Sequence, residues 1–394
     1  MSAVSVEKTE KELFSGRDVY IEQLVSQTNS LKKSQHKNIA IFGYKGIGKT
    51  TLLKEFLRQS KSKEISQAIL NLNNLSLSPE SFSVEFIVNV FAQFSERDSL
   101  WVSKSLSADG LLEIKKEVSK HSANIIDKII NELEKIKPNQ QLILENAFEF
   151  AQALAEENEK KAIICIENFD RILDLSSFEK IQDVFSAINL SQKDVLYVVT
   201  SSATYQFKPI LSKQNFEFIQ LANLSKEETR LLVEKTAGRV SSEVADKIYS
   251  LTLGYPAYVH AIAESYKETK DVKRAFILET VFKSGRIYSL SEQIILDSLS
   301  RARGKTLLNV ILNVLSHHEK LRLTDIAKKI FRSAPVTKSL LSRLIEVDII
   351  TKSDNLYSIN DPVLRYYISR RNSGALGTLS EIDDSLLKKM EDEL

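Results

Sequence analysis

The stretch "NIAIFGYKGIGKTTLLKEF", Asn38 to Phe56, decides the fold. Its first five residues are the short apolar run of a buried strand. Gly43 to Thr50 then matches G-x-x-x-x-G-K-[ST] at every position. Leu52, Leu53 and Phe56 come next with the spacing of one helix face. This strand–loop–helix context is what turns a sequence pattern into a site. The glycines let the backbone of Gly43, Tyr44, Lys45, Gly46, Ile47 and Gly48 curl, so that successive N–H groups point at phosphate oxygens. The helix N-terminus adds partial positive charge beneath them. Lys49 is expected to reach the β- and γ-phosphates and Thr50 to offer its hydroxyl to Mg²⁺, with Thr51 beside it in the first turn. The stretch is built to hold a nucleoside triphosphate.

Such a pocket needs a second strand that delivers an acid to the metal. "KAIICIENFDRIL", Lys161 to Leu173, is the candidate: Ile163 to Ile166 form the strand, and Glu167, Asn168, Phe169 and Asp170 come after it. Glu167 stands in the metal position. Asn168 stands where a glutamate would polarise the attacking water, and an amide cannot take a proton. Asp170 and Arg171 either serve instead or cap the next helix. Ala68–Leu75 reads as a second strand and Asp194–Tyr205 as another that ends in Thr200, Ser201 and Ser202. That polar end either contacts the γ-phosphate or its water, or is an ordinary strand exit. Phe216–Leu224 alternates like a last strand. Strands separated by helical stretches predict an α/β fold, a parallel sheet with helices on both faces. Ligands of such sheets sit at the carboxyl ends of the strands, where Gly43–Thr50, Glu167 and Thr200 all fall.

Between the second strand and the acid strand, residues 81–159 read as a helical insertion. Ile125, Ile126, Ile129, Ile130, Leu133 and Ile136 mark the apolar face of one helix, which Pro138 ends. Downstream, Ser225 and Glu228 form a capping box. Gly254, Tyr255 and Pro256 break two helices, as a plain turn or as part of a lid. From Gly304 to Ile368 the order is helix, helix, turn, helix, hairpin, which is that of a winged helix-turn-helix. Thr324 is the expected cap of its second helix and Pro335 opens the third. Val336, Leu340, Leu344 and Ile345 are expected in the core; Lys338, Ser339, Ser342 and Arg343 are expected outside, with Lys328, Lys329 and Arg332 nearby. The module would bind duplex DNA or serve only in protein packing. The expected division is a core over 1–222, a helical lid over 223–285, a winged helix over 286–370 and a polar tail over 371–394.

Composition narrows the remaining classes. A net charge of +2 gives no global attraction to nucleic acid or membrane, so such binding needs a local patch. A single cysteine, Cys165, excludes an internal disulfide framework and suits a reducing cytoplasm. No apolar run approaches the about 18 residues of a membrane span, and the N-terminus has no signal-peptide pattern. Five scattered histidines, of which only His317 and His318 adjoin, make a poor metal site.

The assembled motifs resemble the archaeal-type ATPases of the STAND class, which are close to the origin-recognition branch of AAA+ proteins. "ELFSGRDVYIEQL", Glu12 to Leu24, is similar to the lead-in that precedes the family's P-loop, with Gly16 and Arg17 matched and Asp18 in place of a usual glutamate. "LTLGYPAYVHAI" is similar to its Gly-x-Pro segment, and "YSINDPVLRYYI" to the end of its winged helix. The resemblance covers about residues 12–370. It implies ATP with Mg²⁺, a nucleotide-driven switch, frequent self-association, and a lid turn with Tyr255 and Pro256 against the adenine. Glu167-Asn168 departs from the usual acidic pair, and no arginine follows Thr200–Ser202, so that Arg171 or Arg230 would have to substitute. The expected function is a slowly hydrolysing ATP switch whose winged helix binds duplex DNA or a protein. The alternative is a non-hydrolysing, nucleotide-stabilised DNA-binding or scaffold protein.

Overall fold

The structure, a computed structural model, describes residues 14–74, 78–175, 188, 190–372 and 384–393. Contacts divide the chain into two units, one of Arg17–Gly43 and Lys49–Leu221, the other of Met1–Gly16, Tyr44–Gly48 and Ala222–Leu394.

The first unit is built on a five-stranded parallel sheet. Its elements are α1 (Asp18–Lys32), β1 (Asn38–Phe42), α2 (Lys49–Gln59), β2 (Ile65–Asn71), α3 (Pro79–Phe94), α4 (Ser99–Lys104), α5 (Ala108–Glu117), α6 (Lys120–Leu133), α7 (Gln140–Glu157), β3 (Lys161–Glu167), β4 (Val195–Ser201), α8 (Thr204–Leu211) and β5 (Phe216–Gln220). The spatial order is β2-β3-β4-β1-β5. The three inner strands are apolar on both faces, as a parallel sheet covered by helices requires. In β3, Ala162, Ile164 and Ile166 enter a core shared with α3, α6 and α7, while Ile163 and Cys165 point the other way and are equally buried. Phe148 of α7 anchors the insertion: its ring lies 4.6 Å from Phe86 of α3 and 5.9 Å from Tyr197 of β4.

Several expected boundaries move. The second strand runs over Ile65–Asn71, and Leu72–Asn74 form a 3₁₀ turn; Leu75 lies outside the described residues, as do Glu12 and Leu13 of the lead-in. The last strand stops at Gln220, short of Leu224. Both are edge strands, half exposed, so their apolar pattern marks the limits poorly. Helix α6 ends at Leu133, before Pro138, and Ile136 is fully exposed beyond it. Ile125, Ile126 and Ile129 carry the buried face.

The second unit contains α9 (Lys226–Ala237), α10 (Ser242–Thr252), α11 (Pro256–Thr269), α12 (Val272–Val281), α13 (Arg286–Arg301), α14 (Lys305–Ser316), β6 (Leu321–Arg322), α15 (Leu323–Lys329), α16 (Ala334–Glu346), β7 (Ile350–Ser353), β8 (Leu356–Ile359), α17 (Pro362–Asn372) and α18 (Asp384–Asp392). The capping box at α9 forms: the Ser225 hydroxyl accepts from Glu228 N and the Glu228 carboxylate accepts from Ser225 N at 2.8 Å. Gly254 turns α10 into α11 at φ +75°, and a Cβ there would lie 2.0 Å from the Leu224 carbonyl, so only glycine fits. Strands β6, β8 and β7 form an antiparallel sheet. Asp354 and Asn355, both at positive φ, make the two-residue turn between β7 and β8.

Pro335 lies in the first turn of α16 as expected. Two other expectations here are overturned. Helix α15 starts at Leu323 with Arg322 in the N-cap position and no side-chain cap, so Thr324 does not cap it. Val336 is exposed; the buried face of α16 is Thr337, Leu340, Leu341 and Leu344, at i, i+3, i+4 and i+7. Val336 lies about 100° around the helix from Thr337, on the flank of the buried face in an exposed first turn, and Ile345 is half buried.

Candidate nucleotide site

Strand β1 ends at Phe42 and α2 begins at Lys49, so residues 43–48 of the motif form the connecting loop and Lys49 and Thr50 open the helix. Gly43, Gly46 and Gly48 all have positive φ, the curl that aims loop N–H groups at an anion. In the first unit, the Gly43 amide donates to the Ser201 carbonyl at 3.2 Å, which ties the loop's root to the end of β4. The Lys49 ammonium donates to the Gly43 carbonyl at 2.6 Å. Thr50, in the first turn of α2, donates its hydroxyl to Glu167 Oε1. Thr51 is exposed beside it.

Glu167 ends β3 and is buried. Its partner in strand register is Asn71, the last residue of β2. The Asn71 amide donates to Glu167 Oε2 at 3.4 Å, and its oxygen accepts from the Asn168 amide at 2.8 Å. Asn168 adopts the left-handed conformation, φ 54° and ψ 44°, which asparagine tolerates better than most residues. Its backbone N–H donates to the Thr200 hydroxyl at 3.2 Å. Asp170 accepts from the Ser202 amide at 3.3 Å, so it braces the exits of β3 and β4 against each other. Lys49, Thr50, Glu167, Asn168, Asp170 and Thr200 thus gather at the carboxyl ends of adjacent strands. Asn71 belongs with them and was missed by sequence reasoning. The available signal was a polar residue closing an apolar strand, but its register against Glu167 is not written in the chain.

The donor set fits a magnesium ion. One hydroxyl and one carboxylate adjoin, and among the described residues no group of three or more His, Cys, Asp or Glu side chains could cage a metal. Mg²⁺ is usually held by one or two carboxylates, waters and substrate phosphates.

Arg17 caps α1 with left-handed backbone and is buried. Within the second unit, Gly16 (φ +70°) lies against the Glu228 side chain. The loop residues grouped with that unit are held by it: the Tyr255 hydroxyl donates to the Lys45 carbonyl, Asn360 donates to the Tyr44 hydroxyl at 3.1 Å, and Lys45 pairs with Asp297 at 3.1 Å. Gly46 faces Ala257, Leu290 and Tyr255, and Ile47 is buried. Pro256 opens α11, with Tyr255 before it stacked on Tyr258 at 4.3 Å. Burial pushes the Tyr255 phenol well above its ordinary pKa, with the nearby Asp361 acting in the same direction. Arg230 is paired with Glu227 and Glu234 of its own helix.

No family model matches the sequence, and no curated protein matches it. Solved structures do. A Walker-type ATPase of Pyrococcus abyssi superposes with a TM-score of 0.61 at 15% identity, over 87% of this chain and 94% of that one. The chain has the P-loop NTPase fold. The ORC2 protein of Aeropyrum pernix, solved in ADPNP and ADP complexes, superposes with a TM-score of 0.54 at 11% identity, over 94% of this chain and 92% of that one. The fold is thus similar to that of both structures, and the strand-end cluster lies where such sheets place their ligands. Among the described residues, no helix is long and apolar enough to cross a membrane.

Proposed function

We propose that the protein is an ATP-binding switch that hydrolyses its nucleotide slowly. The observation that carries this reading is the contact of the Thr50 hydroxyl with Glu167 beside Lys49, at the carboxyl ends of β1 and β3. Lys49 and the N–H groups of the glycine loop would hold the phosphates, and Thr50 with Glu167 would hold Mg²⁺. The metal, when bound, would neutralise charge on the phosphates. The adenine nucleotides in the ORC2 complexes favour ATP over GTP. Tyr255 and Pro256 at the start of α11 are proposed as the lid turn against the base, with Gly16 and Arg17 as the lead-in to the pocket.

Slow turnover is the consequence of Asn168. Its amide, tied to Asn71, can orient a water but cannot accept a proton, so this chain lacks a general base at that position. The segment from α14 to β8 has the order of a winged helix-turn-helix, and we assign it as the output module, with α16 as its recognition helix. Lys338 and Arg343 are exposed on α16, and Lys328, Lys329 and Arg332 are exposed just before it, which supports duplex DNA as the partner. A protein partner is the second reading, supported by Val336 and Phe331, which are 44% and 86% exposed on the same module. Nucleotide-dependent self-association and a cytoplasmic location complete the proposal.

The test is equilibrium ATP binding beside single-turnover hydrolysis. Tight binding with turnover far below about 1 s⁻¹, the low end of ordinary enzyme rates, is expected. Undiminished ATP affinity in Lys49→Ala would sink the pocket. Tight binding with no hydrolysis at all would leave ATP as a structural ligand.

A further inference from the structure

The second unit contains an open surface pocket of about 400 Å³ among α10, α12, the end of α14 and α17. It is distinct from the glycine-loop contacts of Tyr255, Asn360 and Asp297. Its volume is that of a small-ligand pocket. One wall is aromatic: Phe276 and Tyr366 meet with ring centroids 5.3 Å apart. The opposite character comes from Arg365, His317 and His318.

Arg365 is half buried, and its guanidinium has no ion pair or hydrogen-bond partner among the described residues. Arg58, Arg97, Arg230 and Arg286, by contrast, each pair with a carboxylate. A half-buried guanidinium keeps its charge, so its fork of donors needs an acceptor. His317 and His318 add imidazole groups whose side chains make no hydrogen bond among the described residues. The serines of the lining are spent: Ser250, Ser316 and Ser369 each donate to a carbonyl of their own helix. Glu319 is the lone carboxylate of the lining, and it is exposed, where water and salt screen its repulsion.

We propose that this pocket binds a small phosphorylated molecule carrying a planar ring. The phosphate would take the guanidinium fork of Arg365 with the imidazoles of His317 and His318 around it, and the ring would lie on Phe276 beside Tyr366, whose own ring carries the Arg370 guanidinium at 4.8 Å. Bidentate guanidinium–phosphate pairing is the geometry arginine suits best. A ligand there would touch helices α10 and α12 on one side and α14 and α17 on the other, and so would act as an effector rather than as the hydrolysed nucleotide.

The test uses the full chain with Lys49→Ala, which keeps the glycine loop from competing. Phenyl phosphate is the probe, with inorganic phosphate and benzoate as comparisons. For a fragment of this size a Kd on the order of 1 mM is expected. Phenyl phosphate should shift the His317 and His318 ring resonances, and inorganic phosphate should bind at least tenfold more weakly. Arg365→Gln, which breaks no side-chain hydrogen bond among the described residues, should raise the Kd at least tenfold and abolish the shifts. No saturable binding of phenyl phosphate, binding untouched by Arg365→Gln, or benzoate binding as tightly as phenyl phosphate would each overturn the proposal.

Discussion

In the proposed function, Asn168 is the residue on which the rate of hydrolysis turns. Placing glutamate there restores a proton acceptor next to the Glu167–Thr50 pair, and general-base catalysis is typically worth 10²–10⁴-fold. Asn168→Glu should therefore raise single-turnover hydrolysis by about tenfold or more; the gain falls short of the full range because the new side chain also loses the bond to Asn71. The same variant should lose about 1 kcal/mol of stability, because glutamate is less at ease than asparagine in left-handed backbone. An unchanged rate in a folded variant would mean that another group positions the water. Asp194 gives a separate prediction, remote from the strand exits. Burial alone would raise its carboxyl, but the Lys161 ammonium and the Gln152 amide outweigh burial and hold it below the usual carboxylate range. Its contribution to stability is present above the ordinary carboxylate pKa and is lost as pH falls through the depressed folded value. Asp194→Asn should cost about 2 kcal/mol at pH 7 and less at pH 3, as read by denaturant titration at the two pH values. An equal cost at both would refute the ionic contribution.

At the scale of elements, the insertion α3–α7 is part of the sheet's core rather than decoration. Phe148 is fully buried and joins α7 to Phe86 of α3 and Tyr197 of β4. Phe148→Ala should destabilise the first unit by about 3–5 kcal/mol, measured as a fall in the denaturant midpoint; a loss below about 1 kcal/mol would mean that the insertion is only loosely attached. How well each element could be read from the chain depends on its burial. The inner strand β1 and the motif after it were legible because a strand buried on both faces reads as an unbroken apolar run. Edge strands β2 and β5 were blurred, since half their side chains meet water. Val336 was misplaced because it sits on the flank of the apolar face in the first turn of α16, where residues 333–336 are all exposed, so that its i, i+4 spacing to Leu340 did not bury it. Asn71 was invisible for another reason: its place beside Glu167 depends on strand register, a tertiary fact.

For the whole molecule, a net charge of +2 means that any duplex binding needs a local patch, and the proposed one is the set of cations around α15 and α16. Arg343 donates to the distant Arg303 carbonyl, whereas Arg332 bonds only the carbonyl of its own neighbour Phe331, so Lys328, Lys329, Arg332 and Lys338 are the better set to remove. Replacing these four by alanine should weaken duplex binding across unrelated sequences. Each lost phosphate contact should also flatten the plot of log affinity against log salt by about 0.9. Fluorescence anisotropy with a short duplex at several salt concentrations measures both effects. Absence of duplex affinity in the unmodified chain would remove DNA and turn the search to a protein partner. The switch itself requires more than binding. A nucleotide can bias an equilibrium only by as much as its affinity differs between the two states, and linkage makes that bias reciprocal. Duplex affinity should therefore differ between the ATP-bound and ADP-bound protein, and duplex DNA should change ATP affinity by the same factor. Equal duplex affinity in both nucleotide states would leave an ATP-stabilised DNA-binding protein without a switch.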